Sequence, residues 1–118
     1  MKISHVATVG VPVADQDRAL EFYLSTLGFE KQQDITLGDM RWLVVAPPGS
    51  PTSIALELAP SPGVDSRIRL VTADAAATHA ELKSRGVDVD PEVLRWPGVP
   101  AMFAFRDPDG NRLVLIES

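Results

Sequence analysis

The sequence has 118 residues, with 11 basic and 16 acidic side chains, a net charge of −5 and no cysteine. This length predicts one domain with a single core. The lack of cysteine excludes disulfide bonds, thiolate metal ligands and a cysteine nucleophile. The acidic balance argues against nucleic-acid binding. The N-terminus lacks a signal-peptide apolar block, and no apolar run reaches the ~18 residues of a membrane span. We therefore expect a cytoplasmic protein without a membrane or nucleic-acid partner.

The first half of the chain has the pattern of a strand, a helix and three more strands. Alternating side chains predict a strand over residues 3–13. Asp15 is a candidate N-cap, and the apolar spacing after it predicts a helix that Gly28 ends. The remaining strands are predicted at 29–36, 41–46 and 52–59.

The second half repeats this pattern. Asp74 is a candidate N-cap for a helix over 75–85. Extended segments are predicted at 67–72, 87–93, 101–106 and 112–117, with an Asp-Gly turn before the last. We therefore divide the single domain into module 1 (residues 1–60) and module 2 (residues 66–118). Because one helix covers only one face of a four-stranded sheet, the other face must meet its twin or a ligand.

Five motifs in order carry a family resemblance. They are ISHV (3–6), DRALEFY (17–23) with LGF (27–29), IALEL (54–58), AEL (80–82) with GV (86–87), and FRDPDGN (105–111). On these residues the chain resembles the vicinal oxygen chelate superfamily, which includes glyoxalase I, extradiol dioxygenases, and bleomycin- and fosfomycin-resistance proteins. The resemblance implies an α+β fold of two paired βαβββ modules, whose curled mixed sheet surrounds a cavity, and a homodimer.

The resemblance also implies where a metal would bind. Metal-dependent members place ligands at positions that correspond to His5 and Glu57 in module 1, and to Arg67 and Val114 in module 2. A catalytic zinc site needs three protein ligands, and neither arginine nor valine has a lone pair to donate. We therefore expect no cofactor, or a divalent metal held weakly by His5 and Glu57.

Without a metal, His5 and Glu57 are the candidate catalytic residues. A histidine hydrogen-bonded to a carboxylate can remove a proton next to a carbonyl group. The Arg67 guanidinium would pair with Glu57 or with an anionic group of the ligand, since its donors match a carboxylate at two points. The alternatives stay open that His5 is a core residue and that Arg67 lies at a solvated strand edge.

Three side chains are predicted to line the cavity and bind the ligand: Trp42, Trp96 and Phe103. Indole rings stack well on planar ligands, although an aromatic residue on a strand is commonly a core residue.

Three functions are compatible with these residues. The favoured one is a binding protein for a small organic molecule without the full family metal site, with or without proton transfer on a small carbonyl or acid substrate. The alternatives are a metal-dependent lyase or isomerase of the glyoxalase I type, and a drug-sequestering protein similar to the bleomycin-resistance proteins. Whether the protein is an enzyme stays open, but an enzyme of this type would be a lyase or isomerase. A dioxygenase is disfavoured because the set of two histidines and one carboxylate is absent.

Overall fold

Each half of the chain forms a four-stranded mixed sheet with a helical segment. The computed structural model describes residues 1–118, which divide into a first unit, Met1–Pro62, and a second unit, Gly63–Ser118. The elements of the first unit are β1 (Thr8–Val13), α1 (Gln16–Glu21), a π-helical turn (Phe22–Thr26), β2 (Glu30–Leu37), β3 (Met40–Ala46) and β4 (Ser53–Leu58). Those of the second are β5 (Asp65–Thr72), α2 (Ala75–Ser84), β6 (Asp88–Val89), β7 (Met102–Arg106) and β8 (Arg112–Glu117).

The two sheets have the same topology. The strand order is β1-β4-β3-β2 in the first unit and β5-β8-β7-β6 in the second. In each, the first strand of the unit runs parallel to the last, and the other pairs are antiparallel. The predicted α+β fold of two βαβββ modules is therefore confirmed. Neither helix is long and apolar enough to cross a lipid bilayer.

Two predicted elements are shorter in the structure than the sequence suggested. The first strand was expected over 3–13 but begins at Thr8, because Thr8 pairs with Ser53, the first residue of β4. The segment before it has no strand to pair with. The extended segment 87–93 contributes only the two-residue β6, since Pro91 cannot donate to a ladder.

Both helices begin where their predicted caps lie. The Asp15 carboxylate accepts a hydrogen bond from the Arg18 N–H at 3.0 Å, and that of Asp74 accepts one from the Ala77 N–H at 3.0 Å. Such caps satisfy amide groups that have no partner inside the helix.

Each unit buries one face of its sheet. In the first unit, α1 packs on β4, and the buried side chains include Val11, Leu43, Leu56 and Tyr23. In the second, α2 packs on β6, β7 and β8. The large buried side chains there are Leu82, Phe103, Phe105 and Leu113.

A buried asparagine fixes the turn between β7 and β8. Asn111 is fully buried, and its Oδ1 accepts hydrogen bonds from the Gly63 and Val64 N–H groups, both at 2.9 Å. Its Nδ2 donates to Asp107 Oδ2 at 2.9 Å. The Asn111 side chain thus ties the entry of β5 to the β7–β8 hairpin.

Candidate functional site

Glu57, one of the two predicted catalytic residues, lies on the face of the first sheet that α1 does not cover. Strand register pairs Gly10 with Ala55 and Pro12 with Glu57, and antiparallel pairing adds Val44 beside Ala55. Because side chains alternate along a strand, Trp42 lies on this same face. Glu57 is exposed, whereas the aliphatic residues that alternate with it in the middle of β4 are buried.

A cavity of about 350 Å³ lies where β3 begins and β4 ends, beside the first turn of α1. It is lined by Gln16, Asp39, Met40, Arg41, Trp42, Glu57 and Leu58. A volume of this order falls at the lower end of the range typical of small-ligand pockets. All of its lining residues belong to the first unit, so the cavity is complete within that unit.

Gln16 forms one wall of the cavity and holds the helix against the sheet. Its Nε2 donates to the Arg41 carbonyl at 3.1 Å and to the Leu56 carbonyl at 2.8 Å. These two bonds join the first turn of α1 to β3 and β4, which fixes the position of the wall.

The one cationic side chain that lines the cavity is already engaged. Arg41 Nε and Nη2 donate to the two carboxylate oxygens of Asp34 at 2.8 and 2.9 Å, and Nη1 donates to Asp17 Oδ1 at 2.7 Å. The hydrogen bonds to Asp34 and then to Asp17 raise the pKa of Arg41 above its ordinary range. The same hydrogen bond from Arg41 lowers the pKa of Asp34. Arg41 therefore has two carboxylate partners other than Glu57.

Trp42 is half-buried and its polar group is satisfied. Its indole Nε1 donates to Gln33 Oε1 at 2.5 Å. This hydrogen bond orients the ring, whose apolar surface lines the cavity together with Met40 and Leu58.

The two predicted catalytic residues are not joined. His5 lies in the exposed segment before β1, where its Nδ1 is 2.8 Å from Ser4 Oγ, and it does not line the cavity. Glu57 is one of the residues that line the cavity, and its carboxylate makes no hydrogen bond or ion pair in the first unit. The expected His5–Glu57 hydrogen bond is thus not formed, and the catalytic role of each stays a prediction.

Arg67 stands at an irregular point of β5. It is the one non-glycine residue with a positive φ, at 60°, and the register of β5 against β8 shifts between Asp65 and Arg69. The Arg67 N–H donates to Asp65 Oδ1 at 3.1 Å, which lowers the pKa of Asp65. The Ser66 hydroxyl donates to the Arg112 carbonyl at 2.7 Å. The Arg67 side chain itself is exposed and forms no hydrogen bond or ion pair in the second unit, although its charge also lowers the pKa of Asp65.

The other predicted residues of the second unit occupy different settings. Trp96 is 56% exposed in the loop before β7. Val114 is buried in β8 beside Arg69. Phe103 is 1% exposed, and its ring meets that of His79 in α2 edge to face at 4.9 Å. Phe103 therefore belongs to the core beneath the helix, and this placement does not support its predicted contact with a ligand.

The residues do not fit a family-type metal site. The structure contains no group of three or more histidine, aspartate or glutamate side chains that could hold a metal ion. The two predicted ligands, His5 and Glu57, are not brought together, since only Glu57 lines the cavity.

Several lining residues were missed from the sequence. Gln16 directly follows the Asp15 cap, and Asp39 lies in the turn between β2 and β3. Leu58 is 65% exposed, because it ends β4 beyond the part of the strand that α1 covers. Trp42 was predicted to line the cavity because an indole stacks well on planar ligands, and it is among the lining residues.

A duplicated βαβββ unit, with a ligand-sized cavity between the start of the first helix and the strands of its sheet, defines a class of α+β proteins. Residues 2–115 match the family model described as Glyoxalase/Bleomycin resistance protein/Dioxygenase superfamily, and the chain belongs to that superfamily. The resemblance inferred from the motifs is therefore confirmed.

Similar solved structures cover the whole chain. A superfamily member from Sphaerobacter thermophilus DSM 20745 superposes with a TM-score of 0.93 at 37% identity, and the match covers 98% of both chains. TnmS3, an antibiotic binding protein from Streptomyces sp. CB03234, gives a TM-score of 0.87 at 41% identity over 99% of this chain and 98% of its own. The protein YetH of Bacillus subtilis (strain 168) is 30% identical over 98% of this chain and 99% of its own.

Proposed function

We propose that the protein binds a small organic molecule in the cavity of the first unit. Trp42 would pack against an apolar or aromatic part of the ligand, and Glu57 would meet a polar or cationic group. The observation that carries this proposal is a cavity of about 350 Å³ that combines an oriented indole with a carboxylate lacking a protein partner. Pockets of this composition bury apolar ligand surface and use a few polar groups for orientation.

The comparison with TnmS3 supports binding and sequestration. That protein is an antibiotic binding protein, and it is 41% identical over 99% of this chain. This similarity supports the binding of a small molecule by this chain as well. Proton transfer by a His5–Glu57 pair has less support, because the two side chains are separate. No observation favours a metal-dependent lyase or isomerase.

The predicted role of Arg67, to bind an anionic group, stays a proposal for the second unit, since Arg67 does not line the cavity of the first unit. Its exposed guanidinium, which forms no hydrogen bond or ion pair in the second unit, supports this role. An arginine recognises a carboxylate through two parallel hydrogen bonds.

The homodimer and the cytoplasmic location belong to the same proposal. Exposed apolar residues such as Leu58 and Val71, each 65% exposed, support a partner copy that covers them. The absence of cysteine suits a reducing compartment. Light scattering after size exclusion tests the dimer, since a monomer mass at micromolar concentration would contradict it.

The test of the binding proposal is a screen of aromatic natural products by native mass spectrometry, followed by titration of each hit. We expect a stoichiometric complex, and we expect Trp42→Ala to weaken it by about tenfold, from the loss of one aromatic packing contact. Trp96→Ala is the matched control, because Trp96 is exposed and does not line the cavity. Equal losses in the two variants, or no complex in a broad screen, would contradict the proposal.

A further inference from the structure

Gly10 occupies a place where a glycine has no conformational purpose. Seven of the eight glycines have a positive φ, and Gly10 is the exception. It lies in the middle of β1, paired with Ala55 of β4. Glycine weakens the interior of a strand and often marks the close approach of another group. We therefore expect another group to occupy the space that a side chain at residue 10 would fill.

The space above Gly10 is filled by the Glu57 carboxylate. A Cβ atom at residue 10 would overlap with Glu57 Oε1, and it would lie 3.1 Å from Cδ and 3.7 Å from Oε2. Glu57 is the register partner of Pro12, so its side chain leans along β1 toward residue 10. The missing side chain of Gly10 thus provides the seat in which the carboxylate lies.

This seat orients a carboxylate that no hydrogen bond holds. Glu57 is exposed and has no ion pair or hydrogen bond in the first unit. An exposed glutamate ordinarily samples many rotamers, and ordering it on binding weakens affinity. A carboxylate that is placed by the shape of β1 keeps all its lone pairs for a ligand.

We propose that Gly10 is a positioning residue, which holds the Glu57 carboxylate at the cavity wall for the nitrogen or hydroxyl group of a bound ligand. The contact of Glu57 with a ligand rests on the proposed function. The placement of the Glu57 side chain by Gly10 does not, because it is a property of the free protein.

The variant that tests it is Gly10→Ala. The overlap involves the end of a flexible side chain and no backbone atom, so Glu57 moves and the strand stays in place. We expect a folded protein with an unchanged or higher melting temperature. Three-bond couplings to Glu57 Cγ, measured by NMR without ligand, should report one χ1 rotamer in the unmodified protein and a different or averaged one in the variant.

The binding readout uses 1-naphthylmethylamine, whose ring suits Trp42 and whose ammonium group suits a carboxylate. We expect Gly10→Ala to weaken its binding by about tenfold, measured by calorimetry. In a Glu57→Ala background, the same Gly10→Ala change should have no effect, because the space above residue 10 is then empty. 1-Naphthylmethanol, which has no charge, should respond less to Gly10→Ala in either background.

The outcomes separate the two proposals. Glu57 couplings that are averaged in the unmodified protein, or unchanged in Gly10→Ala, overturn the inference. Equal losses of affinity with and without Glu57 also overturn it, since Gly10 would then act through the strand. A coupling change without any amine binding supports the positioning of Glu57 and counts against the ligand that we assign to it.

Discussion

The left-handed backbone of Arg67 predicts that replacing this arginine with glycine stabilises the protein. Arg67 has φ 60° at the point where the register of β5 shifts. The Asp65 and Ser66 side chains accept hydrogen bonds from the Arg67 and Ile68 N–H groups, and these bonds hold the chain in this conformation. Strain of this kind persists where the surrounding structure imposes it, and it is common at functional sites. Arg67→Gly removes the strain together with the guanidinium.

The magnitude follows from a comparison with Arg69→Gly in the same strand. A left-handed conformation costs a non-glycine residue about 1–2 kcal/mol. Arg69 has no positive φ and pairs regularly with Val114, so glycine there costs roughly 0.5–1 kcal/mol of backbone entropy. That entropy cost applies to both variants and cancels between them. Their free energies of unfolding should therefore differ by about 1–2 kcal/mol, with Arg67→Gly the more stable.

Urea and thermal denaturation measure this difference. At roughly 3–5 °C per kcal/mol for a chain of this size, the two midpoints should lie roughly 3–10 °C apart. If Arg67 binds an anionic ligand group, Arg67→Gly should also lose affinity for carboxylate-bearing ligands while gaining stability. Equal unfolding free energies for the two variants would refute the strain argument, since the same residue change then has the same effect at both positions.

Two further predictions concern buried and paired polar groups. Asn111→Ala should lower the free energy of unfolding by about 2–3 kcal/mol, because it removes a fully buried side chain that accepts hydrogen bonds from the Gly63 and Val64 N–H groups and donates one to Asp107. A loss below about 0.5 kcal/mol in urea denaturation would contradict this. The lowered pKa of Asp34 means that the unfolded chain takes up its proton first, so stability falls as the pH drops below about 4. In Asp34→Asn, the free energy of unfolding should fall less steeply with decreasing pH, as measured between pH 7 and pH 2. An unchanged dependence on pH would show that the bond to Arg41 has no net effect.

The elements of the fold were predictable because their signals are local. Asp15 and Asp74 were correctly identified as caps, and the last strand has the predicted bounds, 112–117. The start of β1 was not predictable, since it depends on where β4 begins across the sheet. Local alternation continues through residues 3–7, although no strand is present to pair with them.

The site was predictable only as far as strand alternation reaches. The period of two placed Glu57 opposite the bulky aliphatic residues of its strand, whereas Trp42 was predicted because an indole stacks well on planar ligands. The same rule, which puts bulky side chains beneath the helix, would have assigned Phe103 to the core with Phe105. The seat at Gly10 depends on the Glu57 side chain of the neighbouring strand β4, and the register shift at Arg67 shows only in the pairing of β5 with β8. The alternation within one strand reports neither.

A crystal structure of the protein with a hit from the natural-product screen would locate the ligand. We predict density in the cavity of the first unit, in contact with the Trp42 ring and within hydrogen-bond distance of the Glu57 carboxylate. A ligand ordered elsewhere, with that cavity filled by solvent, would contradict the proposed binding site.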